Sequence, residues 1–331
     1  MPDSRSDTQI FQSPSADALF ATLCDRVQAS EQAIPVITGP TAAGKSALAI
    51  KLAQAIGGEI VSCDAMQVYQ GFDIGTAKPT PEDLMMIPHH MIDILDPCDS
   101  ISVASFVDDV TQLLTSLLAQ GKYPILCGGS VQYVSALLDG LQFFEAQPDS
   151  CLRETVAREI DAKGVQESWE ILEQLDPEAA IRIAPTDRRR ICRFFELYRQ
   201  TGMTKTEHNR RSREQGPQFA FKTFWIDLTP RSSLYERIDR RVEQMYDEGL
   251  TEETRLLMEQ YPQYNDCPAF RGIGYRECVQ LVQGVITEQE ARIMTARSTR
   301  RYAKRQQTWL RRRDDLFVLL LDRTSSDQVN Q

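Results

Sequence analysis

The residues with the plainest chemistry lie in one short stretch. Gly39-Pro40-Thr41-Ala42-Ala43-Gly44-Lys45-Ser46 has the spacing G-x-x-x-x-G-K-[ST]. Such a loop wraps backbone N–H groups around a phosphate chain, sets a lysine beside it as a point charge, and offers a hydroxyl to Mg2+. Gly39 and Gly44 allow torsions and close approach that a Cβ would block. Lys45 is the candidate countercharge and Thr41 a candidate hydrogen-bond partner of a phosphate oxygen. Ser46 is the candidate Mg2+ ligand, directly or through water. The pattern implies a phosphorylated ligand but not which bond to phosphate is broken.

Flanking segments supply the frame such a loop needs. Ile34–Thr38 is a β-branched run. After the loop, Leu48, Leu52, Ala55 and Ile56 recur at helical spacing until Gly57-Gly58 stops the helix. That helix points its positive end at the anion. Glu59–Asp64 reads as a second strand ending in a carboxylate, so the segment is a right-handed βαβ unit of a parallel sheet. Ligands of such sheets sit at the carboxyl ends of the strands, which turns Asp64 toward the phosphate site. The plain alternative for Asp64 is a strand-end cap. Phe224-Trp225-Ile226-Asp227 matches the strand by which nucleotide hydrolases hold the metal's water shell, but it comes late in the chain.

The rest of the chain follows in order. Ala65–Asp83, rich in Gly, Pro and Thr, reads as a functional loop, and Pro88–Ile94 as a buried strand. Ser102–Gln120 is helical, with Val103, Phe106, Val110, Leu113, Leu114 and Leu117 on one face. Tyr123–Cys127 is a strand closed by Gly128-Gly129-Ser130, with a helix over Val131–Leu138. Ser130 is a second candidate strand-end or N-cap position near the ligand. Residues 151–213 are helical in pattern, broken at Gly164, Asp176-Pro177 and Ala184–Asp187. Strand character returns at Phe219–Asp227, helices follow over Tyr235–Gly249 and Thr251–Gln260, and Ala269–Arg276 is a glycine-bearing turn. Glu288–Arg313 reads as a long basic helix and Leu316–Leu321 as a closing strand. The expected organisation is an α/β, P-loop NTPase-like parallel-sheet core over 33–145 and 217–323, with a helical insertion at 146–216. Residues 1–32 are expected to be a polar, loosely tethered extension with a weak helical pattern around Leu19, Phe20 and Leu23, and 324–331 a tail.

The 331 residues suffice for one large or two moderate domains. Hydrophobic content of 42% and charged content of 25% are ordinary for a globular protein. No apolar run approaches the roughly 18 residues that span a bilayer. The N-terminus lacks a signal-peptide pattern, so the expected location is the cytoplasm. Eight cysteines form no C-x-x-C pair and there are only three histidines, which argues against zinc. In a cytosolic chain an even cysteine count is no argument for disulfides, and most are expected as buried thiols. The net charge of −10 argues against nucleic acid, but it is unevenly spread. Ala291–Arg313 carries nine Arg or Lys and no acid, and between Arg188 and Arg213 bases far outnumber Glu196 and Glu207. With a Debye length of about 8 Å, such local clusters outweigh the sum.

Taken together, GPTAAGKS, SCDAMQVYQGFDIGTAKP, HHMIDILDP, PILCGGSVQYVSALLDG, DPEAAIRIAPTDRRRICRFFELYRQTG, FRGIGYRE and RRYAKRQQTWLRRR resemble the tRNA dimethylallyltransferases. The motifs keep the family's order and span roughly Ile34 to Asp322. The resemblance implies transfer of a dimethylallyl group from dimethylallyl diphosphate to N6 of adenosine 37, beside the anticodon, with Mg2+. It implies that Asp64 takes the amine's proton and that Thr41, Lys45 and Arg241 face the diphosphate. For Arg241, spacing alone leaves its neighbours Arg237 and Arg240 open, as well as a solvated helix charge. The implied tRNA contacts are Asp64, Ala65, Met66 and Gln67, then Ser130 and Arg153, then Arg189, Arg190, Ile191, Cys192 and Arg193. The turn of Arg271, Gly272, Ile273, Gly274, Tyr275 and Arg276 and the helix bearing Lys304, Arg305 and Arg311 complete them. One departure stands out: Ser130-Val131-Gln132 replaces the family's usual Thr-Gly-Leu, keeping the hydroxyl and losing a glycine. The implied partners are dimethylallyl diphosphate and a tRNA anticodon stem-loop; separately, no membrane partner and a monomeric enzyme are expected.

Three other readings share parts of this pattern. A small-molecule P-loop kinase would have the same cradle and an arginine-rich lid such as Asn209–Arg213, yet no use for the long basic helix. An isopentenyltransferase acting on free adenine nucleotides would leave that surface idle. A non-enzymatic RNA-binding module would keep the cradle only as structure, and Lys45→Ala would then be silent.

Overall fold

The computed structural model describes residues 8–30, 32–142 and 150–324. Its framework is a seven-stranded sheet, all parallel, comprising β1 (Gln9–Ser13), β2 (Ile34–Thr38), β3 (Gly58–Ser62), β4 (His89–His90), β5 (Tyr123–Cys127), β6 (Phe221–Thr229) and β7 (Leu316–Asp322). The spatial order is β1-β7-β6-β2-β5-β3-β4. Every residue of β2 and β3 is buried, which is why neither strand alternates apolar and polar, although β3 also buries Glu59 and Ser62. Strand β2 lies between β5 and β6, so three strand ends converge where the phosphate loop leaves β2.

Helices α1 (Ala16–Gln28), α2 (Lys45–Ile56), α3 (Pro81–Met86), α4 (Val103–Ala119) and α5 (Val131–Leu138) come from the first part of the chain. Helix α4 starts where the Ser102 hydroxyl accepts from Ser105 N and buries Phe106, Val110, Leu114 and Leu117, the expected face. Helices α6 (Ser150–Lys163), α7 (Val165–Leu175), α8 (Pro177–Ala180), α9 (Arg188–Thr201) and α10 (Lys205–Arg211) follow. The last group is α11 (Arg231–Asp247), α12 (Leu250–Gln260), a 3-10 turn at Pro268–Arg271, α13 (Tyr275–Val282) and α14 (Glu288–Leu310). A capping box between Thr287 and Glu290 starts α14.

Described residues up to Ala136 and from Phe219 onward make one compact unit, and those between Leu137 and Gln218 a second, all-helical one. The second has its own core, with Val156, Ile160, Leu172, Ile191 and Phe194 buried together. The expected boundary at 145–146 and the tail beyond Thr324 lie outside the described residues.

Three expectations need correction. The described part of the segment expected as a loose extension, residues 8–30, instead forms β1, paired in register with β7, and α1, whose Leu19 and Leu23 enter the main core beside Ile37 and Leu52. Its polarity misled because an edge strand and a one-sided helix need few apolar residues. The strand expected over Pro88–Ile94 shrinks to His89–His90, because Met91 and Asp93 adopt left-handed backbone and leave the ladder. Finally, Cys98 and Cys267 form a disulfide, while Cys63, Cys127, Cys192 and Cys278 are the buried free thiols.

Candidate active site

The phosphate loop departs from β2 at a point with no room for a side chain. Gly39 has φ of +147°, and a Cβ there would sit 2.1 Å from the carbonyl oxygen of Ile226 on β6. Gly44, at φ of +98°, turns the chain into α2, and Ala42 shares the left-handed region at +64°. The loop closes over Lys45, whose ammonium donates to Pro40 O at 2.8 Å. Burial, reinforced by the Arg241 guanidinium and opposed by Cys127, Asp64 and Asp227, pushes the Lys45 pKa down to about 8. Ser46 is exposed on the first turn of α2 and lines the same cavity.

That cavity, of about 80 Å³, is walled by Thr41, Lys45, Ser46, Asp64, Gln67 and Arg241 among others. Asp64 follows β3, and its Oδ1 accepts from Met66 N at 2.9 Å, so the carboxylate is held by its own turn. The following residues are fixed as well. Ser130 Oγ accepts from Ala65 N at 2.9 Å, and Ser62 Oγ donates to Gln67 Oε1 at 2.8 Å. The serine that replaces the family's threonine thus still supplies its hydroxyl, and Val131 takes the first position of α5.

Arginine geometry on α11 separates the three candidates. Arg241 reaches the cavity, with Nη1 3.5 Å from Thr41 Oγ1, and burial lowers its pKa while Asp64 opposes. Arg237 lies beside Gly44, and Arg240 is exposed. Asp227 ends up committed elsewhere: both its oxygens accept from Gln307 Nε2, at 3.1 and 2.9 Å, and burial raises its pKa.

Of the expected RNA-contact residues in the main unit, Arg271, Arg276, Lys304, Arg305 and Arg311 are exposed, and Ala65, Met66 and Gln67 half-buried. Gly272 makes room for Met66, whose Cε would lie 2.6 Å from a Cβ, and Ile273 and Gly274 lead into α13. Tyr275 is corrected: fully buried, it donates to Glu253 Oε1 at 2.6 Å and accepts from Gly75 N at 3.0 Å, anchoring the loop after Asp64. In the helical unit Arg153, Arg189, Arg190 and Arg193 are near or at the surface, with Arg193 Nη1 3.0 Å from Glu196. Ile191 and Cys192 are buried among Val156 and Leu172, so their side chains serve that core instead.

Helix α14 divides its bases. Arg292 pairs with Glu243, Asp247 and Glu288, and Arg300 with Asp239, docking the helix on α11. Arg297, Arg301, Lys304 and Arg305 are left exposed, as are Arg311 and Arg312 just past its end. Sequence reading missed what its other face does. Tyr302 and Gln306 line the cavity, and Gln307 holds Asp227. Two adjacent glutamines buried in a basic helix were the available signal.

Comparison with known proteins identifies the family. The family model for IPP transferase matches residues 67–313. The tRNA dimethylallyltransferase of Roseiflexus sp. (strain RS-1) is 41% identical over 292 residues, 88% of this chain and 94% of that protein. That of Halalkalibacterium halodurans is 40% identical over 298 residues, 90% of this chain and 93% of that protein. Among solved structures, the full-length tRNA isopentenylpyrophosphate transferase from Bacillus halodurans is 36% identical with a TM-score of 0.63, covering 89% of this chain and 92% of that one. A eukaryotic dimethylallyltransferase acting on tRNA is 26% identical with a TM-score of 0.76, covering 90% and 76% respectively. On this evidence the chain belongs to the tRNA dimethylallyltransferase family of prenyl-transferring enzymes.

Proposed function

We propose that this protein transfers the dimethylallyl group of dimethylallyl diphosphate to N6 of adenosine 37 of a tRNA, releasing diphosphate. The observation that carries the reading is the convergence of the phosphate loop, Arg241 and Asp64 on one cavity at the carboxyl ends of β2 and β3. The reaction breaks the C–O bond of the donor and forms a C–N bond, and the departing diphosphate keeps the electron pair. Charge therefore develops on the leaving oxygens, which the loop's N–H groups, the Lys45 ammonium and the Arg241 guanidinium would stabilise. Thr41, inside the loop, places its hydroxyl beside Arg241 for the bridging or leaving oxygen. Pro40 has no N–H and Ala43 N donates to Pro40 O at 3.3 Å, so the backbone N–H groups of Gly39, Ala42 and Gly44 would complete the cradle. An exocyclic adenine N–H is barely acidic, so its proton leaves as the C–N bond forms, and the Asp64 carboxylate is placed to accept it.

Mg2+ fits this donor set. Among the described residues no cluster of three His, Cys, Asp or Glu forms a protein cage, whereas Mg2+ commonly takes few protein oxygens plus phosphates and water. Ser46 would hold it, and it would neutralise charge on the diphosphate. For an adenosine splayed out of its loop, Asp64 to Gln67 would meet the base, while Ser130, itself buried, holds Ala65 in place rather than touching the RNA. Arg153, Arg189, Arg190, Arg193, Arg271, Arg276 and the exposed bases of α14 would position the backbone, with residues 146–216 as the RNA-facing insertion. We take the enzyme to act as a monomer. No helix among the described residues is long and apolar enough to cross a membrane.

The test is acceptor competition: labelled dimethylallyl diphosphate and Mg2+ with equimolar tRNA and AMP. Label in tRNA is the expected result. Label in AMP with bare tRNA supports the free-nucleotide reading, and phosphoryl transfer from ATP to a small acceptor supports a kinase.

A further inference from the structure

We infer that Gln306 is a positioning residue for the leaving group, clamping the phosphate loop to the turn that follows β5. The inference rests on the diphosphate reading of the cavity and deepens it.

Gln306 sits near the C-terminal end of α14, only 2% exposed. Its Oε1 accepts from Thr41 N at 2.9 Å and its Nε2 donates to Gly129 O at 2.7 Å. The two partners belong to loops leaving different strands, β2 and β5, and no other side-chain type of this length offers an acceptor and a donor at once without charge. One helical turn earlier, Tyr302 donates to the same Gly129 O at 3.3 Å. The site has been cleared for this amide: a Cβ on Gly129 would lie 2.3 Å from Gln306 Nε2.

Both clamped atoms sit next to groups that face the ligand. Thr41 carries the hydroxyl 3.5 Å from Arg241 Nη1, and Ser130, next to Gly129, holds Ala65 beside Asp64. A single amide thereby sets the spacing between the leaving-group side of the cavity and the proton-accepting side. Without it Thr41 N–H loses its partner and Gly129 C=O keeps only the longer bond from Tyr302, and the loop is free to shift by the fraction of an ångström that such geometry does not tolerate. Gln306 itself touches no reacting atom, so its effect runs through Thr41 and Gly129. Because α14 also carries the exposed bases, the clamp joins the basic helix to the anion cradle.

The experiment uses the full chain with inorganic diphosphate in calorimetry and with tRNA and dimethylallyl diphosphate in steady-state assays. Gln306→Met keeps the volume and removes both hydrogen bonds. Gln306→Glu keeps the acceptor for Thr41 but presents a carboxylate to Gly129 O and to the anion. The expected result is diphosphate affinity and kcat each reduced roughly tenfold in Gln306→Met and further in Gln306→Glu, while the KM for tRNA stays within about twofold and circular dichroism shows a folded protein. A loss of tRNA affinity equal to the loss for diphosphate, or affinity for diphosphate within twofold of wild type in either folded variant, overturns the inference. If wild type binds diphosphate in a Gln306-dependent way yet alkylates no tRNA, the clamp stands and the proposed reaction falls.

Discussion

Lys45 gives the sharpest prediction, because its burial makes ligand binding and proton uptake one event. Moving a lysine from 10.5 to about 8 corresponds to roughly 3.4 kcal/mol at about 1.36 kcal/mol per unit, the cost of keeping an ammonium in that enclosure. At pH 8 about half of the free protein should hold a neutral amine, and at pH 7 about one tenth. A bound diphosphate favours the ammonium strongly, so binding should take up about half a proton at pH 8 and about a tenth at pH 7. Affinity should accordingly fall as pH rises above about 8. The assay is calorimetry of inorganic diphosphate in buffers of different ionisation enthalpy, with Lys45→Arg as the comparison. A guanidinium stays charged throughout, and the ligand's own protonation is common to both proteins and cancels. Equal proton uptake by wild type and Lys45→Arg at pH 8 would refute the reasoning. The same depression has a stability consequence of defined sign: between pH 8 and 10.5 the unfolded chain binds more protons, so this group makes stability rise with pH.

Three further outcomes are expected. Asp64→Ala should cut turnover by about 10²- to 10⁴-fold while tRNA binding persists, and near-normal turnover would remove the proton-acceptor role. If the exposed bases of α14 and the two arginines just past its end supply about six phosphate contacts, the logarithm of tRNA affinity should fall with the logarithm of salt with a slope of about −4 to −5, whereas a flat profile would dismiss that surface. Tyr275→Phe leaves Glu253 and Gly75 N without the hydroxyl between them, which should cost about 1–3 kcal/mol, seen as a lower thermal midpoint; an unchanged midpoint contradicts the anchoring role.

The parts of this protein most legible in its sequence were those where local pattern and chemistry coincide. The run from Ile34 to Asp64 declares strand, cradle, helix and strand because burial on both faces leaves apolar runs and the loop's torsions demand glycines. The breaks among the insertion helices were readable because Gly164, Asp176-Pro177 and Ala184–Asp187 stop helices for local reasons. What escaped depends on distant partners. Nothing near Gln9–Ser13 announces that β7, more than 300 residues later, offers it an edge. The inward roles of Gln306 and Gln307 and the burial of Tyr275 follow from which face of a helix meets the sheet, and a face crowded with arginines hides that choice. Arg241 is separated from Arg237 and Arg240 only by the angle at which α11 packs.

The central claim is that the cradle holds a leaving diphosphate while a neighbouring carboxylate relieves an adenosine amine of its proton. Nucleoside mass analysis of tRNA incubated with the protein, dimethylallyl diphosphate and Mg2+, paired with diphosphate release, tests it most directly. One dimethylallyl group on the adenosine 3′ of the anticodon is expected for each diphosphate released. Diphosphate release without alkylated adenosine, or alkylation at another nucleoside, would contradict it.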